Sequence, residues 1–299
     1  MRLVAILLLL AASFDSGPAA LAQDKPDPRP QDDIFFEKDV VYGKGGDEEL
    51  KLNLGRPKDL AAPAPCVVII HGGGWAAGNK SQHDPQVVEL ARKGYVAATV
   101  GYRFAPKHVF PAQVEDVKCA VRFLRANADK YRIDKDRIGA VGFSAGAHLS
   151  MMLGTMDKDD GLEGEGGNPD QPSKVNAVVA FFGPTDLTSS DWPDRTGKIL
   201  VSFLGGTRQE KPEVYKRASP ITYVNPGDAP MLLIQGTKDG LVPWTQATAM
   251  GDALTKAGVT GRVDLILGAH HGGWGGDEVK RTADETWAFF EQFLLKKKK

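Results

Sequence analysis

Apolar positions along the chain follow two rhythms that alternate from residue 40 to the C-terminal end. Apolar, β-branched runs at 66–70 and 95–100 predict central strands buried on both faces, and further strands are expected at 138–143, 175–182 and 231–235. A further strand is expected at 263–267. Between them, helices are expected at 85–93, 111–131, 245–257, from Ala145 onward, and in a last amphipathic stretch ending near Leu295. In the second of these, Val114, Val117, Val121 and Leu124 recur at helical spacing, with charges between them that read as a solvated face. Two short strands, 40–42 and 50–54, flank the turn signal Gly43-Lys44-Gly45-Gly46 and predict an antiparallel edge. Strand alternating with helix implies right-handed crossovers, hence an α/β fold with a mostly parallel central sheet and helices on both faces. The irregular stretches 157–173 and 188–219 are too long to be simple connections, and substrate contacts are expected there.

Only the ends of the 299-residue chain break this pattern. Arg2, an apolar run at 3–12 and Ala20-Leu21-Ala22 before Gln23 have the three parts of a secretory signal peptide, residues 1–22. That run is shorter than the roughly 20 residues of a membrane span. The expected product is secreted or periplasmic, with no membrane span, a leader at 23–39 and one domain at 40–299. Lys296 to Lys299 read as a solvated tail. A net charge of -1 and no basic patch exclude an electrostatic reason for a nucleic-acid partner. The two cysteines, Cys66 and Cys119, are too few for a disulfide scaffold and read as buried thiols. A bridge between them would be compatible with export, and the sequence does not decide it.

The chemistry starts at Gly142-Phe143-Ser144-Ala145-Gly146, the one G-x-S-x-G in the chain. A predicted strand runs directly into it and a predicted helix leaves it. This is the setting of a nucleophile elbow, where a strained turn lifts a serine hydroxyl above the sheet. His71-Gly72-Gly73-Gly74-Trp75 ends another buried strand. Consecutive glycines let backbone amides converge on one point, and two of them with the Ala145 amide would stabilise an oxyanion. A phosphate loop would need the lysine and Ser/Thr of a P-loop, or a helix opening at the glycines, and neither is there. His71 itself reads as a structural residue of the loop.

Serine attack needs a histidine to take the proton and a carboxylate to orient it, and at such elbows the chain order is nucleophile, acid, histidine. After Ser144, histidine occurs only at His148, His270 and His271. His148 lies one turn into the nucleophile helix and reads as a packing residue. The base is therefore His270 or His271, with His271 preferred because Gly272-Gly273 follow it. Asp239, in Gly236-Thr237-Lys238-Asp239-Gly240, is the best acid, and Asp186 after the preceding strand is the runner-up. The base must be neutral, so activity is expected to fall in acid. The downstream echo His271-Gly272-Gly273-Trp274 fits the third triad position rather than a second amide cradle.

Together, these motifs resemble the hormone-sensitive-lipase-like esterases of the α/β-hydrolase fold. So does Gly101-Tyr102-Arg103-Phe104-Ala105-Pro106-Lys107 running into Phe110-Pro111-Ala112-Gln113-Val114-Glu115-Asp116. Trp75, His148 and the lack of a large cap are similar, more narrowly, to the bacterial feruloyl and acetyl-xylan esterase-like branch. The likeness spans roughly residues 40–295. It implies Ser144, Asp239 and His271 as triad, with Gly73, Gly74 and Ala145 as oxyanion donors. It also implies hydrolysis of short acyl or aromatic esters, free or linked to polysaccharide, with no cofactor and no metal. The acidic, glycine-rich stretch 157–168 departs from the family pattern and is expected to bear on the pocket. Its cluster Asp157, Asp159, Asp160 lacks calcium-loop spacing, since Leu162 takes the glycine position. The same triad would also serve a peptidase or formamidase. A non-catalytic binding protein of this fold would not need every triad residue type in the proper order.

Overall fold

The computed structural model describes residues 33–295. Its strands are β1 (Ile34–Gly45), β2 (Glu48–Pro57), β3 (Ala64–Ile70), β4 (Val96–Val100), β5 (Ile133–Phe143), β6 (Ala177–Phe181), β7 (Met231–Gly236) and β8 (Gly261–Ile266). The helices are α1 (Asp84–Arg92), α2 (Ala112–Ala126), α3 (Ala128–Tyr131), α4 (Ala145–Thr155), α5 (Asp194–Leu204), α6 (Pro212–Arg217), α7 (Thr245–Lys256) and α8 (Gly276–Phe290). The expected signal segment, the leader as far as residue 32 and Lys296 to Lys299 lie outside the described residues.

The strands form one sheet in the order β1-β2-β4-β3-β5-β6-β7-β8. β1 and β2 make the antiparallel edge, β2 pairs antiparallel with β4, and every later neighbour is parallel. The pleat of β3 explains the unbroken apolar run. Cys66, Val68 and Ile70 point into a core that holds Val114, Val117 and Val121 of α2 and Leu149 and Met152 of α4. Val67 and Ile69 point the other way, towards Val87 and Leu90 of α1 and Phe289 and Phe290 of α8. A strand covered on both faces has no polar side to show.

Several elements differ from the sequence reading, three of them for a clear physical reason. β1 begins at Ile34, inside the segment 23–39 read as leader, because an edge strand half open to water tolerates Glu37 and Lys38. β5 starts at Ile133, through charged residues that hide its first half. The stretch 188–219 is not irregular throughout: it carries α5 and α6, and Leu200, Phe203 and Leu204 of α5 are buried. Both thiols are free and buried, and burial pushes Cys66 up to about 12 and Cys119 up to about 11.

Candidate active site

Ser144 sits between β5 and α4 with φ 53° and ψ -117°, a conformation that costs a non-glycine residue about 1–3 kcal/mol. The surroundings hold it there. Its amide donates to the Phe181 carbonyl at 2.9 Å, and its carbonyl accepts from the His148 amide at 3.1 Å. The glycines two residues either side are required by close approach. A side-chain carbon at Gly142 would fall 2.1 Å from the Gly146 carbonyl oxygen, and one at Gly146 would fall 2.1 Å from that of Ile70.

Asp239 follows β7, and its side chain is fully enclosed. One carboxylate oxygen accepts from the amides of Leu241 and Val242 at 2.8 and 2.9 Å. The other accepts from Nε2 of Gln235 at 2.9 Å and from Nδ1 of His271 at 2.7 Å. Burial alone would push this carboxyl up. The hydrogen bond and charge of His271, with the two amides, outweigh it and hold the group below the usual carboxylate range. Since Nδ1 of His271 must donate to the carboxylate, Nε2 is left as the acceptor. It lies 3.0 Å from Oγ of Ser144.

Of the alternatives, His270 is exposed, and its backbone carbonyl accepts from Nε1 of Trp274 at 2.9 Å. Asp186 turns instead to the amide and hydroxyl of Thr188, at 2.9 and 2.6 Å. The loop after β3 lies against the serine turn, where a side-chain carbon on Gly72 would come 3.3 Å from Cβ of Ser144. Gly73 and Gly74 have φ of 113° and 59°, and Ala145 is the first residue of α4.

The match to known families extends over residues 52–254. The chain belongs to the BD-FAE family of α/β-hydrolase esterases. It is similar to esterase LipC of Mycobacterium tuberculosis, 35% identical over 222 residues, which are 72% of this chain and 54% of LipC. It thus spans about half the length of that curated relative. Among solved structures, Thermogutta terrifontis esterase 2 phosphonylated by sarin superposes with a TM-score of 0.77 at 28% identity, covering 87% of this chain and 97% of the other. A truncated carbohydrate esterase from gut microbiota superposes with a TM-score of 0.74 at 27% identity, covering 86% and 96%.

In this BD-FAE chain the two remaining motif histidines are props. The His71 ring stacks on Tyr102 with centroids 4.5 Å apart, and the Tyr102 hydroxyl donates to the His71 carbonyl at 3.0 Å. His148 is fully buried, with Nδ1 accepting from Nε1 of Trp75 at 3.2 Å and Nε2 donating to the Ala218 carbonyl at 2.7 Å. Burial pushes both imidazoles down from 6.5 to about 4, although backbone hydrogen bonds partly oppose it. Between those two values the unfolded chain binds more protons than the folded one. Stability is therefore complete above about pH 6.5 and falls as pH drops towards 4, by up to about 1.4 kcal/mol per pH unit for each histidine. The thermal midpoint should decline steadily across this window. A midpoint that stays flat below pH 6.5 would show that these rings are not held neutral.

The two long stretches divide in role. Glu163 in the stretch 157–168 pairs with Lys118 and Arg122 of α2 at 2.8 and 2.7 Å, and both cations are 1% exposed. Ser173 and the carbonyl of Gly167 complete this anchor. The stretch is a strap bound along α2. The BD-FAE site borders α5 instead. There the Ile199 side chain lies against Gly74, Phe203 stacks on Trp75 at 4.2 Å, and Thr196 donates to the Leu241 carbonyl at 2.7 Å. Sequence reasoning missed Gln235, although a lone polar residue ending the run Met231–Gly236, four positions before Asp239, was a legible signal.

Proposed function

We propose that the chain is a serine carboxylic-ester hydrolase acting on short acyl or aromatic esters, including acetyl and feruloyl esters of polysaccharide. The observation that carries this reading is the unbroken relay from Ser144 to His271 to Asp239, at 3.0 and 2.7 Å. Oγ of Ser144 attacks the ester carbonyl carbon while Nε2 of His271 takes its proton. The carbonyl oxygen becomes an oxyanion, met by the amides of Gly73, Gly74 and Ala145 and by the positive end of α4. Collapse expels the alcohol, which takes the proton from Nε2 and leaves an acyl-enzyme. Water then repeats the sequence on the acyl carbon and frees the acid and Ser144. No step calls for a metal or an organic cofactor.

The likeness to a carbohydrate esterase supports a sugar-linked substrate. The sarin adduct of the Thermogutta terrifontis relative supports a phosphonate-reactive site of this type. Export to the periplasm or medium belongs to the same proposal and rests on the pattern of residues 2–22. The test is a panel of acetyl, butyryl and feruloyl esters, free and sugar-linked, run beside peptide and formyl-amide substrates. Acetyl and feruloyl esters should be cleaved fastest and the amides slowest. Amides turned over faster than every ester would replace this reading with the amidase one.

A further inference from the structure

The sequence echo His271-Gly272-Gly273-Trp274 has no part in the amide cradle, yet the structure gives it a definite use. Gly272 and Gly273 have φ of 71° and 65°. Two successive left-handed residues reverse the chain, so that Trp274 folds back beside the histidine that precedes the glycines. Its Nε1 donates to the His270 carbonyl at 2.9 Å and closes the turn. Its ring meets Phe182 edge-on, with centroids 5.5 Å apart and planes at 87°. Phe182 in turn lies 4.7 Å from the imidazole of His271, tilted by 59°.

Phe182 is aimed by its backbone. It follows β6 with φ 44°, and its amide donates to the Ile234 carbonyl at 2.7 Å. Trp274 also touches Phe181, and Phe181 stacks at 4.9 Å on Phe143, the neighbour of Ser144. An aromatic row therefore links the nucleophile turn to the histidine loop. The first glycine-tryptophan motif makes a different bond, since Trp75 donates across the core to Nδ1 of His148 in α4.

We infer that Phe182 and Trp274 are positioning residues that fix the ring plane of His271. The inference rests on the hydrolase reading above. The bonds to Asp239 and Ser144 both lie in the plane of the imidazole and do little to fix its tilt. A tilted ring turns the Nε2 lone pair off the line to Oγ of Ser144. The tilted contact with Phe182, backed by Trp274, removes that freedom. Misplacing a catalytic group by 1 Å costs on the order of 100-fold, so a loosened ring shows in turnover before it shows in binding.

The test compares wild type, Trp274→Ala, Trp274→Phe and Phe182→Leu with p-nitrophenyl acetate. Rates are taken per active site titrated with a fluorophosphonate, so that misfolded protein is not counted. Trp274→Ala and Phe182→Leu should lower kcat roughly 10-fold or more with KM within about 2-fold. The downfield proton resonance of the His271–Asp239 bond should broaden in both. Trp274→Phe keeps an edge for Phe182 and should recover most of the loss. Unchanged kcat per titrated site in Trp274→Ala and Phe182→Leu would overturn the clamp while leaving the hydrolase reading intact. A wild-type chain that takes up no fluorophosphonate would overturn both.

Discussion

Ser144→Ala is expected to lower kcat for an acyl ester by roughly 10⁵- to 10⁶-fold, since nucleophile and base act as a unit and the loss of either removes most of the chemistry. The change removes one hydroxyl whose partner is Nε2 of His271 at 3.0 Å. The backbone bonds that hold the turn, from the residue 144 amide to Phe181 and from the His148 amide to the residue 144 carbonyl, do not involve that hydroxyl. The fold and its thermal midpoint should therefore survive. Steady-state rates with a circular-dichroism melt check this. Turnover within about 10-fold of wild type would remove Ser144 from the reaction.

Asp239→Asn is expected to lower kcat by about 10⁴-fold with little change in KM. The amides of Leu241 and Val242 need an oxygen at one side-chain position, and the amide carbonyl of asparagine supplies it. The new amino group then faces Gln235 and His271, the two donors that met the carboxylate. The imidazole answers by moving its proton from Nδ1 to Nε2, and an Nε2 that carries a proton cannot accept one from Ser144. Charge is lost at the same stroke, so the imidazolium formed during attack has no counter-ion. Retention of more than about a tenth of the turnover would contradict the role given to Asp239.

Much of this site is written in short-range pattern. The elbow glycines are legible because a Cβ at either collides with backbone, so Gly142 and Gly146 must stand where they do. Chain order and the preceding strands narrow the base to His270 or His271 and favour Asp239 over Asp186 as the acid, and the geometry then selects His271. Other features depend on tertiary contact that periodicity does not encode. Lys118 and Arg122 sit four apart on α2 and read as part of a solvated face, yet both are buried because Glu163 arrives from the strap after α4. The stretch 157–173 consequently reads as a pocket loop when it is a brace on α2. In α5, Gly197 interrupts the helical pattern, and the buried side, Leu200, Phe203 and Leu204, is selected by contact with the rest of the core. Phe182 and Trp274 escape for a similar reason. Only the fold shows that a residue after β6 packs on the imidazole and is itself backed by one after β8.

In the proposed hydrolase a serine, an imidazole and a carboxylate converge to make one reactive hydroxyl. Incubation with a fluorophosphonate, followed by intact mass and peptide mapping, measures this directly. The expected result is one adduct per chain, carried by the peptide that contains Ser144, with esterase activity lost in step with labelling. An adduct seated on a different residue, or full turnover in a chain that carries the adduct on Ser144, would contradict it.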